Sequence, residues 1–258
     1  MNGRLKKGLR SLFPRSLVRH RILAGPLRGS AIVTSWHDYP AAILGTTEQA
    51  LLDWFANNVG EGETWLDIGA HYGYTTIALC KLVGVAGHVY AFEPMLNTAG
   101  CVSRTRLLND LQQMTVVPIA LGNKSDLAMD SLLSVRGMID STLPETKGFR
   151  ETFIISRLDW LWPRISEPDS RIDGIKIDVQ GMEIEVLEGM AATVKRYRPK
   201  LLVELHTGVS RPQFLDVIAS LGYLTRGFPV EPLPGETDPI YANQTYLFQP
   251  REAPTQPN

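Results

Sequence analysis

Thr64-Trp65-Leu66-Asp67-Ile68-Gly69-Ala70-His71-Tyr72-Gly73 decides how the rest of this chain is read. An apolar run ends at Ile68, two glycines at Gly-x-x-x-Gly spacing interrupt it, and a helical pattern starts at Tyr74. The order is buried strand, tight turn and helix. A second strand follows over 87–92 and closes on Tyr90-Ala91-Phe92-Glu93-Pro94, which places one carboxylate at its carboxyl end. Gly69, without a β-carbon, lets the backbone pass close to a ligand. Glu93 is placed to accept hydrogen bonds from both hydroxyls of a ribose.

This arrangement suits a nucleoside cofactor, and the glycine spacing discriminates between two kinds. A dinucleotide turn reads Gly-x-Gly-x-x-Gly, its third glycine packing helix against strand. That third glycine is missing here, and Asp67 stands two residues before the first one. The pattern therefore favours S-adenosylmethionine, with an ordinary strand–turn–helix and a capping acid as the plain alternative. The candidate cofactor contacts are Asp67, Gly69, Ala70, His71, Gly73, Glu93 and Pro94. His71 could reach the cofactor's amino-acid end or simply cover the turn.

Length and composition bound the answer. The 258 residues suffice for one large domain with a sizeable core, and 44% hydrophobic with 21% charged residues is ordinary for a globular protein. Cys80 and Cys101 supply neither a disulfide framework nor metal-ligand spacing, which suits a reducing compartment. No apolar run approaches the ~20 residues that span a bilayer. The net charge of -1 hides an asymmetry. Residues 1–37 carry eight cations and no acid; taking those eight from 26 leaves 18 bases against 27 acids in the remainder. The acidic body argues against nucleic acid as a partner. Leu5, Leu9, Leu12, Phe13 and Leu17 among the leader's cations form a pattern that could lie on an anionic membrane surface, the alternative being a solvated tail. The leader lacks the continuous apolar stretch and cleavage site of a signal peptide.

Strand and helix patterns alternate along the chain. A helix is predicted over 46–58 with Thr47 as N-cap. Then come strand 64–69, helix 74–83, strand 87–92, helix 95–109 and strand 115–120. The pattern resumes with strand 174–179, helix 182–195, strand 200–205, helix 211–221, and strands near 223–227 and 243–248. Continuously apolar strands between amphipathic helices mean a parallel sheet covered on both faces. Residues 121–152, leading into Phe153-Ile154-Ile155, and the proline-rich stretch 228–240 break the alternation. Irregular segments at the carboxyl ends of strands often wall a substrate site, so both are candidates for that role.

Asp178 closes the fourth core strand and His206 follows the fifth, in Val203-Glu204-Leu205-His206-Thr207-Gly208. In a doubly wound sheet both face the crevice shared by Asp67 and Glu93. Methyl transfer to an alcohol needs an aligned oxygen and a group to take its proton. An imidazole does that near neutral pH, so His206 is the first candidate base and Asp178 its orienter or substitute. Asp178, Glu204 and His206 could also ligate a divalent ion. Their spacing is not diagnostic, and strand alternation would turn Glu204 away from His206, so no metal is expected. Thr75 and Thr76 are read as helix caps, and Lys176 as the partner of a nearby acid.

Taken in order, these segments resemble the FkbM family of methyltransferases. The resemblance lies in Leu66-Asp67-Ile68-Gly69-Ala70-His71-Tyr72-Gly73-Tyr74-Thr75, Ala91-Phe92-Glu93-Pro94 and Ile119-Ala120-Leu121-Gly122. It continues through Arg157-Leu158-Asp159, Ile175-Lys176-Ile177-Asp178-Val179-Gln180-Gly181-Met182-Glu183, Arg198-Pro199 and Glu204-Leu205-His206. It implies an α/β class I methyltransferase fold of Rossmann-like type: a mostly parallel seven-strand sheet, helices on both faces and an N-terminal helical extension. It also implies S-adenosylmethionine-dependent O-methylation, commonly of hydroxyls on sugars or specialised metabolites. Asp67, Gly69 and Gly73 match the family's cofactor turn, Glu93 its ribose-binding acid, and Asp178 and His206 positions facing the reaction crevice. Two residues depart from the pattern: His71 stands where the family usually has asparagine, and Gln180 where it usually has glutamate.

The expected organisation is a basic extension over 1–45, a methyltransferase domain over 46–249 and a tail over 250–258. The expected protein is cytoplasmic, with peripheral contact at the inner membrane surface through residues 1–37, and methylates a hydroxyl of a sugar, glycolipid or specialised metabolite. A catalytically silent metabolite-binding module and a nicotinamide-dependent oxidoreductase are the alternatives.

Overall fold

The computed structural model describes residues 13–124, 128–135, 138–139, 149–231 and 243–251. Residues 1–12 of the basic leader, 232–240 of the proline-rich stretch and 252–258 of the tail lie outside them.

The chain opens with an antiparallel pair, β1 (Val18–Arg21) and β2 (Ala31–Thr34). It continues through α1 (Pro40–Leu44) and α2 (Gln49–Asn58) into β3 (Thr64–Ile68). Next are α3 (Tyr74–Val83), β4 (His88–Phe92), α4 (Leu96–Leu108) and β5 (Met114–Val117). Four further strands follow: β6 (Ala120–Leu121), β7 (Ala128–Val135), β8 (Met138–Ile139) and β9 (Phe149–Ser156). Then come α5 (Leu158–Ile165), β10 (Gly174–Ile177), α6 (Glu183–Gly189), α7 (Ala191–Tyr197) and β11 (Lys200–Leu205). The described chain closes with α8 (Arg211–Ser220), β12 (Phe228–Pro229) and β13 (Gln244–Phe248).

The main sheet has seven strands in the order β12-β13-β11-β10-β3-β4-β5. β11, β10, β3, β4 and β5 run parallel, and β13 lies antiparallel to β11 and to β12. Alternate side chains on each strand enter different cores, as a sheet covered on both faces requires. Leu66, Ile68, Tyr90, Phe92, Ile175, Ile177, Leu201 and Val203 pack with residues of α5 to α8. Trp65, Val89, Ala91 and Leu202 pack on the opposite face with α2, α3 and α4. This second core also takes in Ile22, Leu27, Ile32 and Val33 from the segment before the helices. Residues 18–45 are thus partly a hairpin rather than helix throughout, and part of the core. Asn109 of the α4 C-cap accepts from the Ala31 N–H at 2.8 Å and donates to its carbonyl at 2.7 Å, while Thr105 accepts from the Val33 N–H.

Several predicted boundaries shift for identifiable reasons. The strand expected over 115–120 divides at Pro118, which has no N–H for the ladder; β6 leaves the main sheet and pairs with β9. Residues 121–152 are not simply irregular. They contribute to a four-stranded sheet, β6-β9-β7-β8, in which β7 and β9 pair antiparallel from Ala128↔Ile155 to Ser134↔Phe149. The helix expected over 182–195 is two helices, α6 and α7, meeting at Met190. Gly189 there packs so tightly that a β-carbon would overlap the Gly122 carbonyl. α2 begins at Gln49 behind Glu48 in the left-handed region (φ 56°), so Thr47 is not its cap. The strand expected near 223–227 forms at Phe228–Pro229, with Tyr223 making only an isolated bridge to Pro250.

Candidate active site

Three positive φ angles shape the turn after β3: Gly69 at 84°, His71 at 51° and Gly73 at 83°. The N–H groups of Gly69 and Ala70 both donate to the Phe92 carbonyl at 3.0 Å, tying the turn to the end of β4. Gly69 is required for a reason that the turn alone does not reveal. A β-carbon there would overlap the carbonyl oxygen of Asp178, so this glycine lets the ends of β3 and β10 meet.

The crevice opens at this meeting point, beyond the carboxyl ends of β3, β4 and β10. Gly69, His71, Glu93 and Pro94 line one side and Asp178 and Gln180 another. Ile68, Phe92, Ile119 and Leu121 supply apolar wall. This is where the strand order reverses, with β4 on one side of β3 and β10 on the other, and where open α/β sheets bind ligands.

Glu93 is 5% exposed. Its Oε2 accepts from the His71 N–H at 2.9 Å and its Oε1 from the Met95 N–H at 3.0 Å. Burial pushes its carboxyl up to about 8 against the opposing pull of these two backbone bonds. When ionised, each oxygen keeps a lone pair for one ribose hydroxyl; when protonated, the carboxyl accepts from one hydroxyl and donates to the other. The His71 ring packs at 5.3 Å from Tyr39 and 4.3 Å from Tyr72, and burial lowers its pKa to about 4. It therefore presents a neutral aromatic wall to the crevice. Apolar wall, aromatic cover and a buried carboxyl placed for a ribose diol fit S-adenosylmethionine.

Asp67, Ala70, Gly73 and His206 do not line this crevice. Asp67 is fully buried beneath the turn. Its Oδ2 accepts from the hydroxyls of Thr75 at 2.9 Å and Thr76 at 2.6 Å, and its Oδ1 lies 3.3 Å from Lys176 Nζ. The two threonines thus bind Asp67 instead of capping α3, whose N-cap is Gly73. Lys176, 3% exposed, is also 3.4 Å from Asp178 Oδ2. Burial disfavours its charge, but the charges of Asp67 and Asp178 outweigh that and raise its pKa. Asp67 is thereby linked to the crevice residue Asp178 through Lys176.

His206 follows β11 and sits at the centre of a polar cluster. Its Nδ1 is 2.7 Å from Oε1 of Glu183, which is fully buried at the start of α6 and also accepts from the Gly181 N–H. With the Glu183 oxygen accepting, Nδ1 carries a proton, and in the neutral form of the ring the lone pair of Nε2 faces outward. Gln180 Nε2 lies 2.8 Å from that nitrogen, Asp178 Oδ1 3.5 Å and Glu204 Oε1 3.6 Å. The expectation that Glu204 turns away from His206 fails, because residues two apart along a strand share a face. Burial alone would lower the His206 pKa; the Glu183 hydrogen bond and the charges of Asp178 and Glu204 raise it overall. Glu204 is pushed up to about 7, first by burial and then by the Asp178 charge. Its side chain also lines a second, polar pocket with Glu48, Gln49, Glu231, Asn243 and Gln244. Sequence reasoning left Glu183 without a role, although it closes the segment that begins at Ile175.

A family model for the methyltransferase FkbM domain matches residues 67–230. The chain belongs to the FkbM methyltransferase family. Its cofactor is S-adenosylmethionine, and the sheet is that of a class I methyltransferase. Among solved structures, the chain is similar to an FkbM methyltransferase from Methylobacillus flagellatus KT, at 14% identity and TM-score 0.47, over 81% of this chain and 52% of that one. It thus spans about half the length of that protein. It is also similar to a SAM-dependent O-methyltransferase from Thermotoga maritima (13% identity, TM-score 0.45, 80% of this chain and 66% of that one). A third is the fibrillarin of Aeropyrum pernix with natively bound S-adenosylmethionine (14%, TM-score 0.44, 92% and 87%). No match was found among the curated proteins. In this FkbM methyltransferase no described helix is long and apolar enough to cross a membrane.

Proposed function

We propose that the chain methylates a hydroxyl oxygen of a sugar, glycolipid or specialised metabolite. The observation that carries this reading is His206, held by buried Glu183 at 2.7 Å with its other nitrogen turned toward Asp178 beside the cofactor crevice. Bound S-adenosylmethionine supplies an electrophilic methyl group on a sulfonium. Glu93 holds the ribose, and Gly69, His71 and Pro94 shape the wall beside it. The Asp178–His206 edge receives the acceptor hydroxyl and its proton, with His206 the first candidate to take it. The polar pocket at Glu204 gives the rest of a hydroxyl-rich acceptor hydrogen-bonding groups along its length.

The test uses S-adenosylmethionine labelled in the methyl group and a panel of sugars, glycolipids and metabolites with free hydroxyls. Label should appear on oxygen, and His206→Gln should slow transfer by roughly 100-fold or more with cofactor affinity unchanged. Label on nitrogen, or a variant as fast as the parent, contradicts the reading.

The same reading places the protein in the cytoplasm, with residues 1–37 in peripheral contact with the inner membrane surface. It is supported by the exposed Arg15, Arg19 and Arg21 near exposed Phe13, Val18 and Leu23. Sedimentation with anionic vesicles but not with neutral ones is expected; equal behaviour with both counts against it.

A further inference from the structure

We propose that Asp178, Glu204 and His206 bind one divalent cation beside the crevice, an inference that rests on the O-methyltransferase reading and moves His206 from proton acceptor to ligand. One ligand atom from each residue lies within 4.8 Å of the other two. Nε2 of His206 is 3.5 Å from Asp178 Oδ1 and 3.6 Å from Glu204 Oε1. Ligands around an ion at about 2.0–2.6 Å stand about 3 Å apart when adjacent and about 4.5 Å apart when opposite. A contraction of about half an ångström in the two His206 distances brings those pairs to the spacing of adjacent ligands.

Three features of the surroundings point to an ion. A metal-bound histidine donates its second ring N–H to a carboxylate or carbonyl, which fixes the tautomer and orients the lone pair. Glu183 accepts that proton from Nδ1 while fully buried, and its other oxygen, Oε2, is also buried and has no hydrogen-bond partner among the described residues. Lys176 contacts Asp178 through Oδ2 and leaves Oδ1 facing His206. Charge also falls short: Asp67 and Asp178 share one lysine, Lys176, while Glu183 and Glu204 face the imidazole of His206, and a divalent ion would offset the excess of acids.

Gln180 sits where a further ligand would come. Its amide contacts Nε2 at 2.8 Å, and its exposed side chain can swing aside or turn its oxygen to the ion. A glutamate at this position would bring a third charge to the shell, so glutamine makes the site weaker and more exchangeable. Carboxylates suit manganese and magnesium and imidazole suits the later transition metals; the mixed set accommodates manganese. The cation would act on the acceptor: the hydroxyl oxygen coordinates it, the O–H bond breaks, the proton passes to solvent, and the electron pair stays on oxygen.

The experiment titrates chelator-treated full-length protein with Mn2+ alone, followed by electron paramagnetic resonance, and titrates each sample separately with S-adenosylmethionine. One saturable Mn2+ site is expected, weakened at least tenfold in Glu204→Gln and His206→Gln and ~10–100-fold in Glu183→Gln, with cofactor affinity unchanged in all three. No saturable Mn2+ binding by a parent protein that binds S-adenosylmethionine overturns the cation site and leaves His206 as a free proton acceptor. Equal Mn2+ binding by parent and variants overturns it as well. A parent protein that binds no S-adenosylmethionine overturns the enzymatic reading and this inference with it.

Discussion

Replacing Lys176 by methionine should cost more stability than most core substitutions, because it strands a charge. Lys176 lies 3.3 Å from Asp67 and 3.4 Å from Asp178, and Asp67 has no exposed surface. Met fills similar volume, so the loss is electrostatic rather than a cavity. Breaking a buried pair from one side typically costs about 3–5 kcal/mol, because the remaining ion is buried without compensation. In a domain of this size each kcal/mol moves Tm by about 2–4 °C, so a fall of roughly 6–20 °C is expected. Thermal unfolding followed by circular dichroism reads it. Adding Asp67→Asn to the same chain removes the stranded charge and keeps an acceptor for Thr75 and Thr76, so the double variant should regain at least half of the loss. A Lys176→Met protein within about 1 kcal/mol of the parent, or a double variant no better than the single one, refutes the argument.

Gly69→Ala should be among the most damaging single changes in the turn. It combines a φ of 84° with overlap on the Asp178 carbonyl, so a loss of at least ~2 kcal/mol in urea unfolding is expected, and a neutral result contradicts the packing described. Glu93 links stability to pH in a direction that can be worked out. Its folded pKa of about 8 exceeds the ordinary 4.5, so between those values the folded state holds a proton the unfolded state has lost. Its contribution is full below 4.5 and declines as pH rises through 8, by at most about 1.4 kcal/mol per pH unit. Glu93→Gln should flatten that decline, so its Tm advantage over the parent grows from pH 5 to pH 9; parallel curves contradict the assignment.

The main sheet was legible because parallel strands buried on both faces are nearly pure apolar runs. Leu66 to Ile68, Val89 to Phe92 and Leu201 to Val203 leave no other reading. The inserted sheet was not legible, since Phe149-Arg150-Glu151-Thr152-Phe153 mixes charge with apolar residues and its partner strand lies beyond a long connection. In the site, Glu93 was readable from its place after β4, and it lines the crevice. The place of Asp67 was not legible: a carboxylate beside a glycine turn looks like a ligand contact, and only the fold shows it beneath the turn with Lys176 facing it across the adjacent strand. Glu183 and His206 are 23 residues apart, and their 2.7 Å contact exists only because β10 and β11 are neighbours. Asp67→Ala is consequently a poor control for cofactor binding, because it unsettles the turn from beneath.

Glu93 provides the cleaner control, and the measurement to make is calorimetric titration of the parent and Glu93→Gln proteins with S-adenosylmethionine and with NAD. One-site binding of S-adenosylmethionine at micromolar affinity is expected in the parent, markedly weakened in a folded Glu93→Gln protein, with no binding of NAD. Binding of NAD alone, no binding of S-adenosylmethionine, or equal affinity in both proteins would contradict the site described at the ends of β3 and β4.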